Sequence, residues 1–191
     1  MNDDVVVSNV NKNRRGLITE FSKKSRKRFE KELNMFSSTM DENQSKDYAV
    51  TLTSMFFEAK DGYKVLKRWI DWVQRKFICC GLYCLEFQDN GQVHYHLNLR
   101  IFAQHDFDEC RKEILGCWLR YNPLVSGSAN DFKPIWDTEG WSHYLLKVDS
   151  PKSVQKLMRG AIDSKRLGSR WWGSFAKGLY HGKYEDLPLA I

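Results

Sequence analysis

The stretch Leu82–Ile101, LYCLEFQDNGQVHYHLNLRI, constrains the fold more than any other part of the chain. Two runs rich in aromatic and branched residues flank Asp89-Asn90-Gly91, the pattern of a β-hairpin. A three-residue loop, built as a type I turn with Gly91 in the left-handed conformation, pairs Gln88 with Gln92. Side chains alternate with period two, so Glu86 then faces His94 and Cys84 faces His96, on one side of the sheet. A two-residue Asn90-Gly91 loop would set Phe87 opposite His94 instead, so the constellation depends on register.

Around the hairpin the order reads as α+β with a mostly antiparallel sheet. The expected elements are a basic amphipathic helix over Arg14–Phe36, a strand over Tyr48–Phe57 and a helix over Asp61–Lys76. After the hairpin come a helix over Asp106–Tyr121 capped by Asp106, a short strand over Asp131–Asp137 and a helix over Thr138–Val148 capped by Thr138. A second basic helix starts at Ser150-Pro151, and Gly168–Gly178 reads as a turn region. With 191 residues there is room for one main domain, expected over 14–183, with tails at 1–13 and 184–191.

Charge is distributed unevenly. Lys12–Lys31 holds nine basic and two acidic residues, net +7, and Lys147–Lys183 repeats those numbers, while 32–146 is net −4. Such runs are usually solvated faces. In the second run Trp171, Trp172, Phe175 and Tyr180 lie among the cations, which suits stacked bases and paired phosphates of single-stranded nucleic acid. No apolar run approaches the roughly 20 residues of a membrane span. The N-terminus carries acids where a signal peptide has a basic region, so a soluble intracellular protein is expected. The five cysteines form no CxxC pair and read as reduced, buried thiols.

Two imidazoles and a carboxylate on one patch leave positions open on a divalent ion, and mixed nitrogen and oxygen ligation suits Mn²⁺ or Zn²⁺ more readily than Mg²⁺. Such an ion beside a phosphate acts as a Lewis acid. The competing reading makes His94 and His96 ordinary residues of a half-polar strand. Farther along, Tyr144 and Lys147 share a helix face. A tyrosine beside a metal-bound phosphate can attack phosphorus, and a lysine one turn away can stabilise the charge. The competing reading is packing, with Trp141, Leu145 and Val148 buried and Lys147 solvated.

Taken in order, VTLT (Val50–Thr53), Glu86 with HYH (His94–His96), and YLLK (Tyr144–Lys147) resemble the three-motif signature of the HUH endonucleases of the rolling-circle replication initiator class. FSKKSRKRF (Phe21–Phe29) and SRWWG (Ser169–Gly173) are similar to stretches of phage and plasmid initiators, so the likeness covers roughly residues 20–178. The resemblance implies a ferredoxin-like or RNA-recognition-motif-like antiparallel sheet, with helices on one face and the site on the other. It implies a metal, Mn²⁺ or Mg²⁺, on Glu86, His94 and His96, and nicking of single-stranded or hairpin origin DNA by Tyr144 with help from Lys147. A 5′-phosphotyrosine intermediate later allows the strands to be rejoined. Only one tyrosine lies on this helix, as in the single-tyrosine type. Lys23, Lys24, Arg26, Arg28, Arg170 and Trp171 are expected on DNA, with Thr51 and Thr53 either there or inside the sheet. No GxxxxGK[ST] motif is present, so a host helicase and polymerase are expected partners, in the cytoplasm of a cell hosting a phage, virus or plasmid. The alternatives are a single-strand transposase of the same superfamily and a non-catalytic single-strand-binding module.

Overall fold

The hairpin takes the expected register. A computed structural model describes residues 23–41, 44–103, 105–146 and 172–181. In it β2 (Cys79–Phe87) and β3 (Val93–Phe102) pair antiparallel, with Glu86 opposite His94 and Cys84 opposite His96. Gly91 has φ +85°, a value that favours glycine, and the Gln88 N–H donates to the Gln92 carbonyl at 2.9 Å.

The other elements, in chain order, are α1 (Lys23–Ser38), β1 (Ser45–Thr53), α2 (Ala59–Lys76), α3 (Phe107–Tyr121), β4 (Asp131–Pro134), α4 (Thr138–Leu146), β5 (Trp172–Phe175) and the short α5 (Lys177–Tyr180). The sheet order is β4-β1-β3-β2-β5, and all neighbours are antiparallel. β1 and β2 therefore run the same way on either side of β3 and are joined through α2, a split β-α-β unit. The architecture is α+β with β3 at the centre, and every residue of β3 is buried.

Alternation along β3 sorts the two faces. Tyr95, Leu97 and Leu99 pack with Leu66, Trp69 and Val73 of α2 and with Ile114 and Trp118 of α3. His94, His96, Asn98 and Arg100 lie on the opposite face. The expectation of helices on one face and the site on the other is corrected here. Phe29, Leu33 and Phe36 of α1, Leu145 of α4 and Tyr180 of α5 cover Cys80, Leu82 and Cys84 on the site-bearing face. Those three side chains present apolar surface beside the histidines, and leaving it in water is unfavourable.

Other boundaries move for local reasons. β1 begins at Ser45 and stops at Thr53, not at Phe57, because Asn122 Oδ1 takes hydrogen bonds from Ser54 Oγ at 3.2 Å and the Met55 N–H at 3.1 Å. Asp106 caps α3 as expected, accepting from the Glu109 N–H at 2.9 Å. The cap of α4 is Asp137 rather than Thr138, since its Oδ1 accepts from the Gly140 N–H at 3.0 Å. The expected turn at Gly168–Gly178 contains β5, paired to β2. Gly173 is what admits that strand, because a Cβ there would collide with the Tyr83 ring. Trp172 packs against Phe29, with ring centroids 5.0 Å apart, and donates its indole N–H to Ser25 Oγ at 3.0 Å.

All five cysteines are free and buried, and burial pushes the Cys79 and Cys84 thiols up to about 12. Among the described residues, no helix is long and apolar enough to cross a membrane. The expected tails, the helix beginning at Ser150-Pro151 and most of the second basic run lie outside the described residues.

Candidate active site

The three candidate ligands meet between the hairpin and α4. His96 Nε2 lies 2.8 Å from Glu86 Oε2, and the His94 and His96 rings are 4.6 Å apart between centroids. Both histidines are nearly enclosed, at 8% and 5% exposure, whereas the Glu86 side chain is 30% exposed. A cavity of about 490 Å³ opens there, lined by Glu86, Gln88, Asp89, His94, His96 and Tyr144 among others.

Tyr144 reaches this cavity from α4. Its hydroxyl lies 3.4 Å from His96 Nε2, its ring stands edge-on to the His96 ring at 4.9 Å, and it is 37% exposed. Trp141, one turn earlier, stacks on Tyr144 at 4.9 Å and 13°. The sequence assigned Trp141 to packing alone; its i, i+3 spacing to Tyr144 was the signal for a second role. Burial, followed by the negative charge of Glu86, pushes the Tyr144 phenol above its ordinary value. The resting side chain is therefore the neutral phenol.

The histidines are oriented through Nδ1. His94 Nδ1 lies 2.9 Å from Thr53 Oγ1 and 3.2 Å from Gln88 Nε2. His96 Nδ1 lies 3.3 Å from Thr51 Oγ1. These contacts follow from strand pairing, which sets Thr53 opposite His94 and Thr51 opposite His96. Thr53 is 1% exposed, so of its two expected places, on DNA or inside the sheet, it takes the one inside the sheet; Thr51 is half-buried. Gln88 was missed as a site residue, although it lies on the same strand face as Glu86, two residues on.

The donor set, imidazole nitrogen and carboxylate oxygen on adjacent strands, suits Mn²⁺ or Zn²⁺ more readily than Mg²⁺. Among the described residues, no three His, Cys, Asp or Glu side chains are already gathered as a metal cage. Glu86 and His96 are hydrogen-bonded to each other, and an ion held by both would replace that bond.

The expected DNA contacts divide. Lys24, Arg26 and Arg28 lie exposed on the outer face of α1, whose backbone starts at Lys23. Arg26 also pairs with Glu30 at 2.9 Å. α1 touches α4 on the site-bearing face, so the helix that carries these cations lies against the helix of Tyr144. Lys147, Arg170 and Trp171 lie outside the described residues. No protein-family model matches the chain, and no curated protein matches it.

Proposed function

We propose that the protein is a metal-dependent single-strand DNA endonuclease and strand transferase, with Tyr144 as nucleophile, that initiates rolling-circle replication. One observation carries this reading: a tyrosine 48 residues from His96 in sequence places its hydroxyl 3.4 Å from that imidazole, at the mouth of a cavity also lined by Glu86 and His94. The split β-α-β frame with the histidines on its central strand is the arrangement expected of an HUH endonuclease.

Glu86, His94 and His96 would hold the ion. Bound there, a divalent ion of the Mn²⁺ or Mg²⁺ class supplies Lewis acidity to a phosphoryl oxygen. Thr51 and Thr53 orient the imidazoles, and Gln88 donates to the Thr53 hydroxyl. Trp141 fixes the ring plane of Tyr144, which shortens the search for an in-line approach to phosphorus. The Tyr144 oxygen forms a bond to phosphorus as its proton leaves. The bond from phosphorus to the 3′ oxygen breaks, and that oxygen takes up a proton. The 5′ phosphate stays on the tyrosine, and attack by a 3′ hydroxyl reverses the step. Each step exchanges one phosphodiester for another, so joining requires no nucleotide. The exposed cations of α1 would bind the backbone of the strand.

The test is incubation with Mn²⁺ and labelled single-stranded or hairpin origin oligonucleotides. A denaturant-resistant adduct that is lost in Tyr144→Phe, with DNA binding retained, supports the enzyme. The competing reading is a module that binds single strands without cutting them. Metal-independent binding without adduct on every origin-like substrate would establish that module instead.

A further inference from the structure

Every polar atom of Thr53 is engaged. Its N–H donates to Asn130 Oδ1 at 2.8 Å, and its carbonyl accepts from the Trp118 indole N–H at 2.7 Å. Its hydroxyl oxygen lies 2.7 Å from the Ala129 carbonyl oxygen, 2.9 Å from His94 Nδ1 and 3.2 Å from Gln88 Nε2. Four separate segments of the chain thus converge on one threonine that is 1% exposed.

A hydroxyl has one proton and two lone pairs. The Ala129 carbonyl has no proton to give, so it accepts the one from Thr53. The Thr53 oxygen is left only as an acceptor. Its 2.9 Å contact to His94 is then a hydrogen bond only if Nδ1 carries the hydrogen. Gln88 Nε2 lies 3.2 Å from both Thr53 Oγ1 and His94 Nδ1; it can only donate, so beside an Nδ1–H it gives its hydrogen to the second lone pair of Thr53 and none to the imidazole. The opposite tautomer sets two acceptors against each other, either at Ala129 or at His94. In an enclosed place that loss is not repaired by water.

We propose that Thr53 is a positioning residue that holds His94 in the Nδ1–H tautomer and so puts the imidazole lone pair on Nε2. The link from this tautomer to metal binding rests on the endonuclease reading above; the tautomer itself does not. His96 provides the contrast within the same strand. Its Nε2 faces the Glu86 carboxylate at 2.8 Å, which accepts a hydrogen, and its Nδ1 faces Thr51 at 3.3 Å. Among the described residues, the Thr51 hydroxyl is tied to no carbonyl, so it can turn to donate to Nδ1. In the metal-free protein His96 carries hydrogen on Nε2, whereas His94 carries it on Nδ1. The side chains are two residues apart on one face and have opposite hydrogen placement.

The experiment is long-range ¹H–¹⁵N correlation NMR on the imidazoles of the full-length, metal-free protein, at a pH of about 8.5, where an ordinary imidazole is neutral. The expected spectrum shows His94 as Nδ1–H in the wild type and in Thr53→Ser, with the Nδ1–H population falling in the near-isosteric Thr53→Val. Calorimetric titration with Mn²⁺ should show affinity about 10- to 100-fold weaker in Thr53→Val and near wild type in Thr53→Ser. A wild-type His94 in the Nε2–H form overturns the proposal whether or not the valine variant folds. So does an unchanged Nδ1–H population in a folded Thr53→Val. An adduct on Tyr144 together with Nε2–H His94 would refute this proposal and leave the endonuclease reading in place. Nδ1–H His94 in a protein that never forms an adduct would do the reverse.

Discussion

Arg100 and His96 lie on the same face of β3, and each faces a carboxylate from a neighbouring strand, yet the two pairs have opposite character. Arg100 bonds Asp47 through Nε at 2.6 Å and a terminal nitrogen at 2.8 Å, with both side chains fully buried. Its other terminal nitrogen donates to Thr39 Oγ1 at 3.1 Å, and its guanidinium lies 4.3 Å over the Phe36 ring. Burial pushes the Asp47 carboxyl up, and Arg100 pulls it only part of the way back. That pair is closed: it fixes the end of α1 to the sheet and has no surface for a ligand. His96 and Glu86 share one bond at the wall of a cavity, with a phenol 3.4 Å away. The same strand thus carries a sealed pair at one end and one open to a cavity at the other, and solvent access separates them. Between them Asn98 is fully buried, and among the described residues neither its Oδ1 nor its Nδ2 has a hydrogen-bond partner. Trp141 Nε1 and Ser142 Oγ, on the α4 that covers this face, likewise have no partner among the described residues.

The largest effect that would break this comparison is on stability. Asp47→Ala leaves the Arg100 charge buried and unpaired, and should lower unfolding free energy by about 3–5 kcal/mol. Glu86→Gln, at a partly exposed pair, should cost less than about 1 kcal/mol while reducing cleavage by more than about 100-fold. Denaturant melts and adduct yields on the two variants check both halves. Equal destabilisation would show that the two pairs do the same job.

Asn98→Leu tests the unsaturated middle of the face. Replacing a buried amide that lacks partners with an apolar side chain should raise stability by about 1–3 kcal/mol, read as a higher denaturation midpoint. A loss of stability would show that the amide is satisfied.

A third carboxylate gives a pH test. Burial raises the Glu32 carboxyl, but bonds from Lys177 at 2.6 Å, Tyr180 at 2.9 Å and His181 at 3.4 Å outweigh it and hold it below its ordinary value. A depressed carboxyl contributes stability that is fully present above about pH 4.3 and is lost as pH falls through the lowered folded value. The melting-temperature gap between wild type and Glu32→Gln should therefore hold at neutral pH and shrink in acid below about pH 4. It corresponds to roughly 1 kcal/mol or less at this partly exposed clasp.

The smallest effect belongs to the outer face of α1. Neutralising Lys24 or Arg28 should leave stability within about 0.5 kcal/mol. Each should weaken single-strand binding about equally across sequences and reduce the salt dependence by about one phosphate contact. A sequence-dependent loss would move these residues from backbone binding to base reading.

The hairpin was legible because Asp-Asn-Gly selects a loop length and alternation then assigns every side chain to a face. The positions of Glu86, His94 and His96 followed from that alone. The cover on the site-bearing face was not legible. It depends on Arg100 meeting Thr39 across 61 residues of sequence and on Trp172 meeting Ser25 across 147, and neither contact leaves a local pattern. β5 was hidden for a different reason: glycine signals a turn by propensity, whereas Gly173 is there to let two strands approach Tyr83. Thr53 looked like an ordinary strand threonine because its partners Asn130, Ala129 and Trp118 come from a loop and a helix 65 to 77 residues away.

The central claim is that Tyr144 is the group that becomes joined to DNA. Mass spectrometry of the peptide carrying the trapped nucleotide, after cleavage of an origin-like single strand with Mn²⁺, reads this directly. The account predicts a 5′-phosphorylated nucleotide on Tyr144 and a loss of adduct of at least about 10³-fold in Tyr144→Phe. A nucleotide on Tyr180 or Tyr184, or full cleavage by Tyr144→Phe, would contradict it.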